Sequence, residues 1–229
     1  MEKQSPENNL RDEIKREFQL ERMILFSDAV FAIVMTLMAI EIKLPGLEDG
    51  VSAAMLPAAL LHLMPVIISY AISFLFIGGI WYEHLKIFSL LRDYNKGLVV
   101  RNLLLLFFIG FFPFSTSLIT HIYGGITAFF IYFVVIFLCL FAQYFLYKYV
   151  IVSQPEITVK INRNEHLTEL KKRRISLFGF LIAAVLTFIT YQLIPNPVLK
   201  SMATLWMVVY SIILAILLKR IKAENPIEK

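Results

Sequence analysis

The sequence has few of the residues that stabilise small secreted or metal-bound proteins, and it has few charges. It contains one cysteine, Cys139, in 229 residues, which excludes a disulfide framework and a zinc site built from several cysteines. Its 9 glycines and 9 prolines are too few for a collagen-like or low-complexity chain. Only 17% of the residues are charged and 59% are hydrophobic, whereas soluble domains average about 25% charged and about 45–50% apolar residues. The composition therefore indicates an integral membrane protein.

Long stretches without Asp, Glu, Lys or Arg alternate with short charged segments. Because a transmembrane helix needs about 20 apolar residues, the uncharged run 102–147 is long enough for two helices, with a turn at 121–125. The sequence as a whole predicts an all-α membrane protein with six transmembrane helices. They are expected at residues 23–43, 58–81, 100–119, 126–148, 175–194 and 198–218.

The basic residues are distributed unequally between the two sides of the predicted bundle. Of the 22 lysines and arginines, all but Lys43 and Lys200 lie in the N-terminal arm, the second and fourth loops, and the C-terminal tail. Since basic loops stay in the cytoplasm, both termini are expected to be cytoplasmic and the protein is expected in the cell membrane. The expected organisation is a cytoplasmic arm (1–22), a transmembrane domain (23–219) and a cytoplasmic tail (220–229).

Two charged segments allow more than one interpretation. The basic run Lys171–Arg174 abuts the fifth predicted helix, so a stop signal at the lipid headgroups is favoured over a nucleic-acid patch or an anionic-lipid site. In the first outer loop, Glu41, Glu48 and Asp49 are read as ordinary solvated acids, with a cation-attracting rim as the alternative. No nucleic-acid partner is predicted.

No enzyme motif is present in the sequence. It has no phosphate-binding glycine loop, no HExxH and no GxSxG motif, and its four histidines are too scattered to predict a metal site. We therefore predict neither an enzyme nor a cofactor. The functional candidates are the polar groups inside the apolar helices, because such groups are costly in a bilayer.

The first predicted helix has two different faces. At about 100° per residue, Ile33, Leu37 and Ile40 lie within about 60° of one another, with Thr36 beside them. Asp28 lies on the opposite side. If the aliphatic stripe faces other copies of the chain, Asp28 must point into its own bundle.

Topology predicts the partners of Asp28. We expect two polar residues at the same depth in the membrane as Asp28. They are His84, at the end of the second helix, and Asn102, at the start of the third, and Trp81 lies one turn before His84. A buried carboxylate that accepts hydrogen bonds from an imidazole and an amide would be satisfied. A structural network is favoured over a proton relay through Asp28 and His84.

The segment from Arg22 to Asp28 carries an RxxxFSD motif, with Phe26 and Ser27 as its central residues. With the FSDAVFAI continuation, the second helix that ends in WYEH, and Asn102, the chain closely resembles the transmembrane protein 175 family of potassium channels. The resemblance covers the chain from end to end. The prokaryotic members of the family are single six-helix subunits.

The resemblance implies a homotetramer in a lipid bilayer, whose first helices surround a central pore for K⁺ and other monovalent cations. It implies a pore constriction at Ile33, Leu37 and Ile40 and a selectivity role for Thr36. It also implies a structural role for the motif network. That network comprises Arg22, Phe26, Ser27, Asp28, Trp81, His84 and Asn102.

The function implied is a leak-type potassium-permeable channel with a hydrophobic gate and moderate preference for K⁺ over Na⁺. One alternative is a proton-coupled transporter, or a proton-permeable channel, that uses Asp28 and His84. Another is an accessory membrane subunit without transport of its own.

Overall fold

The computed structural model describes residues 6–40, 42, 56–121, 126–160, 162–196, 203 and 205–224. These residues form seven α-helices, and none of them belongs to a β-strand. The helices are α1 (Pro6–Ile40), α2 (Leu56–Phe88), α3 (Lys96–Ile109), α4 (Phe112–His121), α5 (Ile126–Lys148), α6 (Arg163–Leu193) and α7 (Leu205–Glu224).

Five segments are long and apolar enough to cross a bilayer. They are Ile14–Ile40, Leu56–Phe88, Lys96–Ile119, Ile126–Ser153 and Arg163–Leu193, and Leu205–Leu217 forms a shorter apolar helix. The all-helical membrane fold predicted from the sequence is thereby confirmed. The first outer loop, with Lys43, Glu41, Glu48 and Asp49, lies outside the described residues, as do Lys200 and the turn at 122–125.

The third predicted helix, 100–119, is two helices rather than one. The chain leaves α3 at Gly110 and enters α4 at Phe112. Pro113 has no backbone N–H and therefore cannot bond the carbonyl of Ile109, and its ring crowds that carbonyl. The break is closed by bonds from the Gly110 and Phe111 amides to carbonyls of α3.

The polar residues of the predicted network lie where α2 and α3 pack against α1. α1 packs against α2, α3 and α4, α5 packs against α3, α4 and α6, and α7 packs against α6. At the charged end of the bundle the loops after α2 and α5 are joined by an antiparallel bridge between Leu91 and Thr158. Asn95 caps the start of α3, because its side chain accepts a hydrogen bond from the Leu98 amide at 2.8 Å.

Candidate functional site

The two faces of α1 have opposite surroundings. Phe31, Val34 and Met38 are buried against the other helices. Ile33, Leu37 and Ile40 are 56%, 45% and 65% exposed within the single subunit. A helix of this kind is fixed to its own bundle by one face and offers an apolar row on the other. We call the row Ile33, Leu37 and Ile40 the aliphatic row.

A chain of buried hydrogen bonds ties α1 to α2 and α3. The Asn102 amide nitrogen donates to Ser27 Oγ at 2.8 Å, and Ser27 Oγ donates to the Met23 carbonyl at 2.8 Å. The Asn102 oxygen lies 2.9 Å from His84 Nε2. Because the amide nitrogen of Asn102 is the donor to Ser27, its oxygen accepts, and His84 carries its proton on Nε2.

The His84 ring is held between aromatic rings in the interior. It stacks on Phe88 with ring centroids 4.1 Å apart and lies 5.5 Å from the Phe31 ring. His84 is fully buried, and its Nδ1 atom has no hydrogen-bond partner among the described residues. The ring is thus held by one strong polar contact and by packing.

Asp28 bonds to a different partner from those expected. The Trp81 indole N–H donates to Asp28 Oδ1 at 2.9 Å, whereas His84 and Asn102 bond each other rather than the carboxylate. The prediction that His84 and Asn102 donate hydrogen bonds to Asp28 is therefore wrong. The reason is helical rotation: Ser27 faces α3, and the next residue is turned about 100° further, toward α2.

Two residues of the motif lie outside this hydrogen-bonded network. Phe26 is 52% exposed. Arg22 is exposed, and its guanidinium lies 5.9 Å from the centre of the Phe18 ring. Within the single subunit the network therefore consists of two sets of contacts. Trp81 bonds Asp28, and Asn102 bonds both Ser27 and His84.

Thr36 is exposed beside the aliphatic row. Its hydroxyl lies 3.0 Å from the Ala32 carbonyl and 2.9 Å from the Ile33 carbonyl. A hydroxyl that bonds the preceding turn is common in membrane helices. The hydroxyl hydrogen is used by the backbone, and the oxygen keeps acceptor capacity on the exposed side of α1.

A second buried polar cluster was not predicted from the sequence. Ser73 Oγ lies 2.9 Å from Tyr132 Oη and 3.2 Å from Thr116 Oγ1, and Thr116 also contacts the Met38 sulfur at 3.8 Å. The cluster joins α1, α2, α4 and α5. Its only signal is a set of hydroxyl residues in apolar helices, which hydropathy does not distinguish from lipid-facing positions.

Neither the network nor this cluster resembles a metal centre. Among the residues that the structure describes, no group of three His, Cys, Asp or Glu side chains is placed to hold a metal ion. Cys139, the single cysteine, is buried in α5.

Comparisons with known proteins agree on one family. The family described as "Endosomal/lysosomal potassium channel TMEM175" matches residues 22–113, which contain the whole network and the aliphatic row. The chain is 35% identical over 104 residues to a potassium channel of Streptomyces collinus, covering 44% of this chain and 47% of that one. It is 36% identical over 109 residues to a potassium channel of Chamaesiphon minutus, covering 48% and 53%. These matches span about half the length of the curated relatives.

The solved structures extend the likeness to nearly the whole chain. A lysosomal potassium-selective channel TMEM175 homolog from Chamaesiphon minutus aligns with a TM-score of 0.66 and 26% identity, over 86% of this chain and 98% of that one. A threonine-to-alanine variant of the potassium channel MtTMEM175, in complex with a nanobody–MBP fusion protein, aligns with a TM-score of 0.57 and 21% identity, over 89% and 94%. The second likeness shows a shared fold. The family is one of channels and not of enzymes, and residues 22–113 of this chain are similar to it.

Proposed function

We propose that the chain is the subunit of a potassium-permeable cation channel, in which α1 from each of four copies lines a central pore. The observation that carries this proposal is the opposition of the two faces of α1. One face is fixed to α2 and α3 by buried hydrogen bonds, and the other exposes the aliphatic row. The names of the relatives support a potassium channel, and the family model matches this part of the chain.

The aliphatic row is the proposed gate. With a rise of about 1.5 Å per residue, Ile33 to Ile40 spans about 10 Å along the helix. Four such rows facing one axis would make a narrow hydrophobic constriction, which closes when water leaves it and conducts when it widens. This mechanism needs no cofactor.

Thr36 is the proposed selectivity residue. Its exposed oxygen keeps lone pairs because its hydrogen is directed to the backbone. Four such oxygens could replace some of the water around a cation inside the pore. A ring of this kind lacks the dense carbonyl cage of a dedicated filter, so we expect only a moderate preference for K⁺ over Na⁺.

The hydrogen-bonded network is proposed to hold α1 at a fixed rotation against the rest of its subunit. If α1 turned by one residue, about 100°, the aliphatic row would leave the axis. The contacts Trp81–Asp28 and Asn102–Ser27 oppose this rotation from two helices. A structural role outside the ion path follows for Asp28.

The proposed setting is the cell membrane, with both termini in the cytoplasm. Support comes from the charged segments, where all but two of the 22 basic residues lie on one predicted side. The N-terminal arm (1–22) and the tail (220–229) then flank a transmembrane channel domain (23–219). The partners are three further copies of the chain, the bilayer and monovalent cations.

The alternative is proton transport through Asp28 and His84. Such a relay needs the two groups joined by hydrogen bonds or water. Here Asp28 bonds Trp81 and His84 bonds Asn102, so each side chain already has a partner on a neighbouring helix. This arrangement favours the channel.

Flux through proteoliposomes tests the proposal. Purified protein in vesicles that contain K⁺ is diluted into K⁺-free buffer, with a protonophore present to compensate charge. A channel gives K⁺ efflux that does not saturate and does not depend on a pH gradient. Efflux that continues without the protonophore, in exchange for protons, and saturates with K⁺ would support the transporter, and flat traces in both conditions would support an accessory subunit.

A further inference from the structure

A cleft opens between α2, α5, α6 and α7, away from the aliphatic row. Its volume is about 640 Å³, and part of its wall is formed by Leu140, Tyr144 and Leu177. Ligand sites in proteins range from about 300 to about 1,000 Å³ and are largely apolar with a few polar groups. The cleft therefore has the size and the wall chemistry of a binding site.

Five charged side chains line the cleft, and their charges do not cancel. They are Glu83, Glu169, Lys172, Arg173 and Lys219. Lys172 pairs with Glu169 at 3.2 Å, and Arg173 pairs with Glu83. Lys219 has no ion-pair partner among the described residues, so the cleft carries one positive charge more than its own carboxylates neutralise.

The two paired cations are held in place rather than free in solvent. The side chains of Lys172 and Arg173 are 23% and 16% exposed. Arg173 also lies over the Tyr147 ring, with its guanidinium 4.5 Å from the centroid, and its Nε atom is buried without an acceptor among the described residues. A buried N–H without a partner is uncommon and calls for an acceptor supplied from outside.

The position of the cleft relative to the membrane indicates which kind of anion it would bind. The basic run that contains Lys172 and Arg173 ends at Arg174 and is followed directly by the apolar part of α6, 175–193. The cleft therefore lies where headgroups give way to acyl chains. Basic pockets between transmembrane helices on the cytoplasmic side bind anionic lipid headgroups. We propose that this cleft binds one anionic phospholipid, with its phosphate at Lys172, Arg173 and Lys219.

The acyl chain of the bound lipid would lie along the apolar wall. Leu140 and Leu177 supply this wall beside the cations, which a soluble phosphate compound would leave unused. The site is separate from the proposed pore, and lipid binding there does not depend on ion conduction.

Lipid binding to the purified, detergent-solubilised protein tests the proposal. Native mass spectrometry is used to titrate dioleoyl phosphatidylglycerol against dioleoyl phosphatidylcholine, which has the same chains and no net charge. We expect tighter binding of phosphatidylglycerol to one site per chain. Lys219→Gln should weaken it about fivefold, which is about 1 kcal/mol for one basic residue near the membrane surface.

Two further variants decide between this site and general surface charge. Lys171→Gln removes the same charge from an exposed neighbour that does not line the cleft, and it should leave binding unchanged. Glu169→Gln frees Lys172 from its ion pair and should tighten binding. Tighter binding by Glu169→Gln supports the proposed site even if Lys219→Gln folds poorly.

Three results would overturn the proposal. The first is equal weakening by Lys171→Gln and Lys219→Gln. The second is equal affinity for the two lipids. The third is full competition by glycerophosphoglycerol, the same headgroup without acyl chains, which would indicate a site for a soluble anion.

Discussion

Asn102 and His84 form a buried pair in which each side chain depends on the other. Asn102→Leu removes the acceptor for His84 Nε2–H, and His84 Nδ1 already has no partner among the described residues. His84→Phe removes the donor to the Asn102 oxygen but keeps a ring against Phe88 and Phe31. The double variant replaces both polar groups by apolar side chains and leaves the Ser27 hydroxyl bonded to the Met23 carbonyl.

The magnitudes follow from the cost of an unpaired buried group. That cost is about 1–3 kcal/mol, whereas one hydrogen bond between membrane helices contributes about 0.6 kcal/mol on average. We expect each single variant to lower the free energy of unfolding by about 2 kcal/mol. The double variant should lose less than the sum of the two by about 1–2 kcal/mol.

Reversible unfolding in mixed micelles of increasing SDS content measures these free energies. Asn164→Leu is the matched control, because Asn164 is exposed at the start of α6, and it should change the free energy of unfolding little. Additivity of the two single variants within about 0.3 kcal/mol would mean that the two side chains do not depend on each other.

Three further predictions concern the pore face and one tight packing contact. Ile33→Ser should raise K⁺ leak several-fold in proteoliposomes by wetting the constriction, and unchanged leak from an assembled tetramer would remove Ile33 from the gate. Thr36→Val keeps the shape and removes the oxygen, so the K⁺/Na⁺ permeability ratio from bi-ionic reversal potentials should fall; an unchanged ratio would assign selectivity elsewhere. Gly97→Ala places a Cβ against the Tyr149 hydroxyl, well inside van der Waals contact, whereas a Cβ at Gly79 meets nothing within 4 Å. Thermal unfolding should therefore show a lower Tm for Gly97→Ala and an equal or higher Tm for Gly79→Ala, and equal shifts would contradict the packing argument.

The approximate positions of the apolar helices could be predicted from hydropathy alone, although the third of the six predicted helices is divided in two. A chain in hydrocarbon must satisfy its backbone hydrogen bonds internally. Each apolar run of sufficient length therefore forms a helix. The break before Pro113 could not be predicted in the same way. Pro65 lies inside the continuous helix α2, so a proline in an apolar run does not by itself determine whether the helix ends.

The neighbourhood of the site could be predicted, but its pairing could not. Depth in the bilayer placed Asp28, His84 and Asn102 at one level. In the structure Asp28 bonds Trp81, whereas His84 and Asn102 belong to a separate set of contacts that includes Ser27. The choice of partner depends on the rotation of each helix, which is set by packing of the whole bundle. The cluster around Ser73 was missed for a related reason, because hydroxyl groups barely change hydropathy.

Reaction of a thiol in the aliphatic row with a permeant ion shows whether α1 lines the pore. A cysteine at Ile33, in a Cys139→Ala background, is exposed to Ag⁺, which is small enough to follow K⁺ and binds thiolates. Leu75, 73% exposed on α2, provides the matched control as Leu75→Cys. If α1 lines the pore, Ag⁺ blocks K⁺ flux through Ile33→Cys and leaves Leu75→Cys unaffected. Flux that continues unchanged through Ile33→Cys, with the thiol reached only by lipid-soluble reagents, would contradict this prediction.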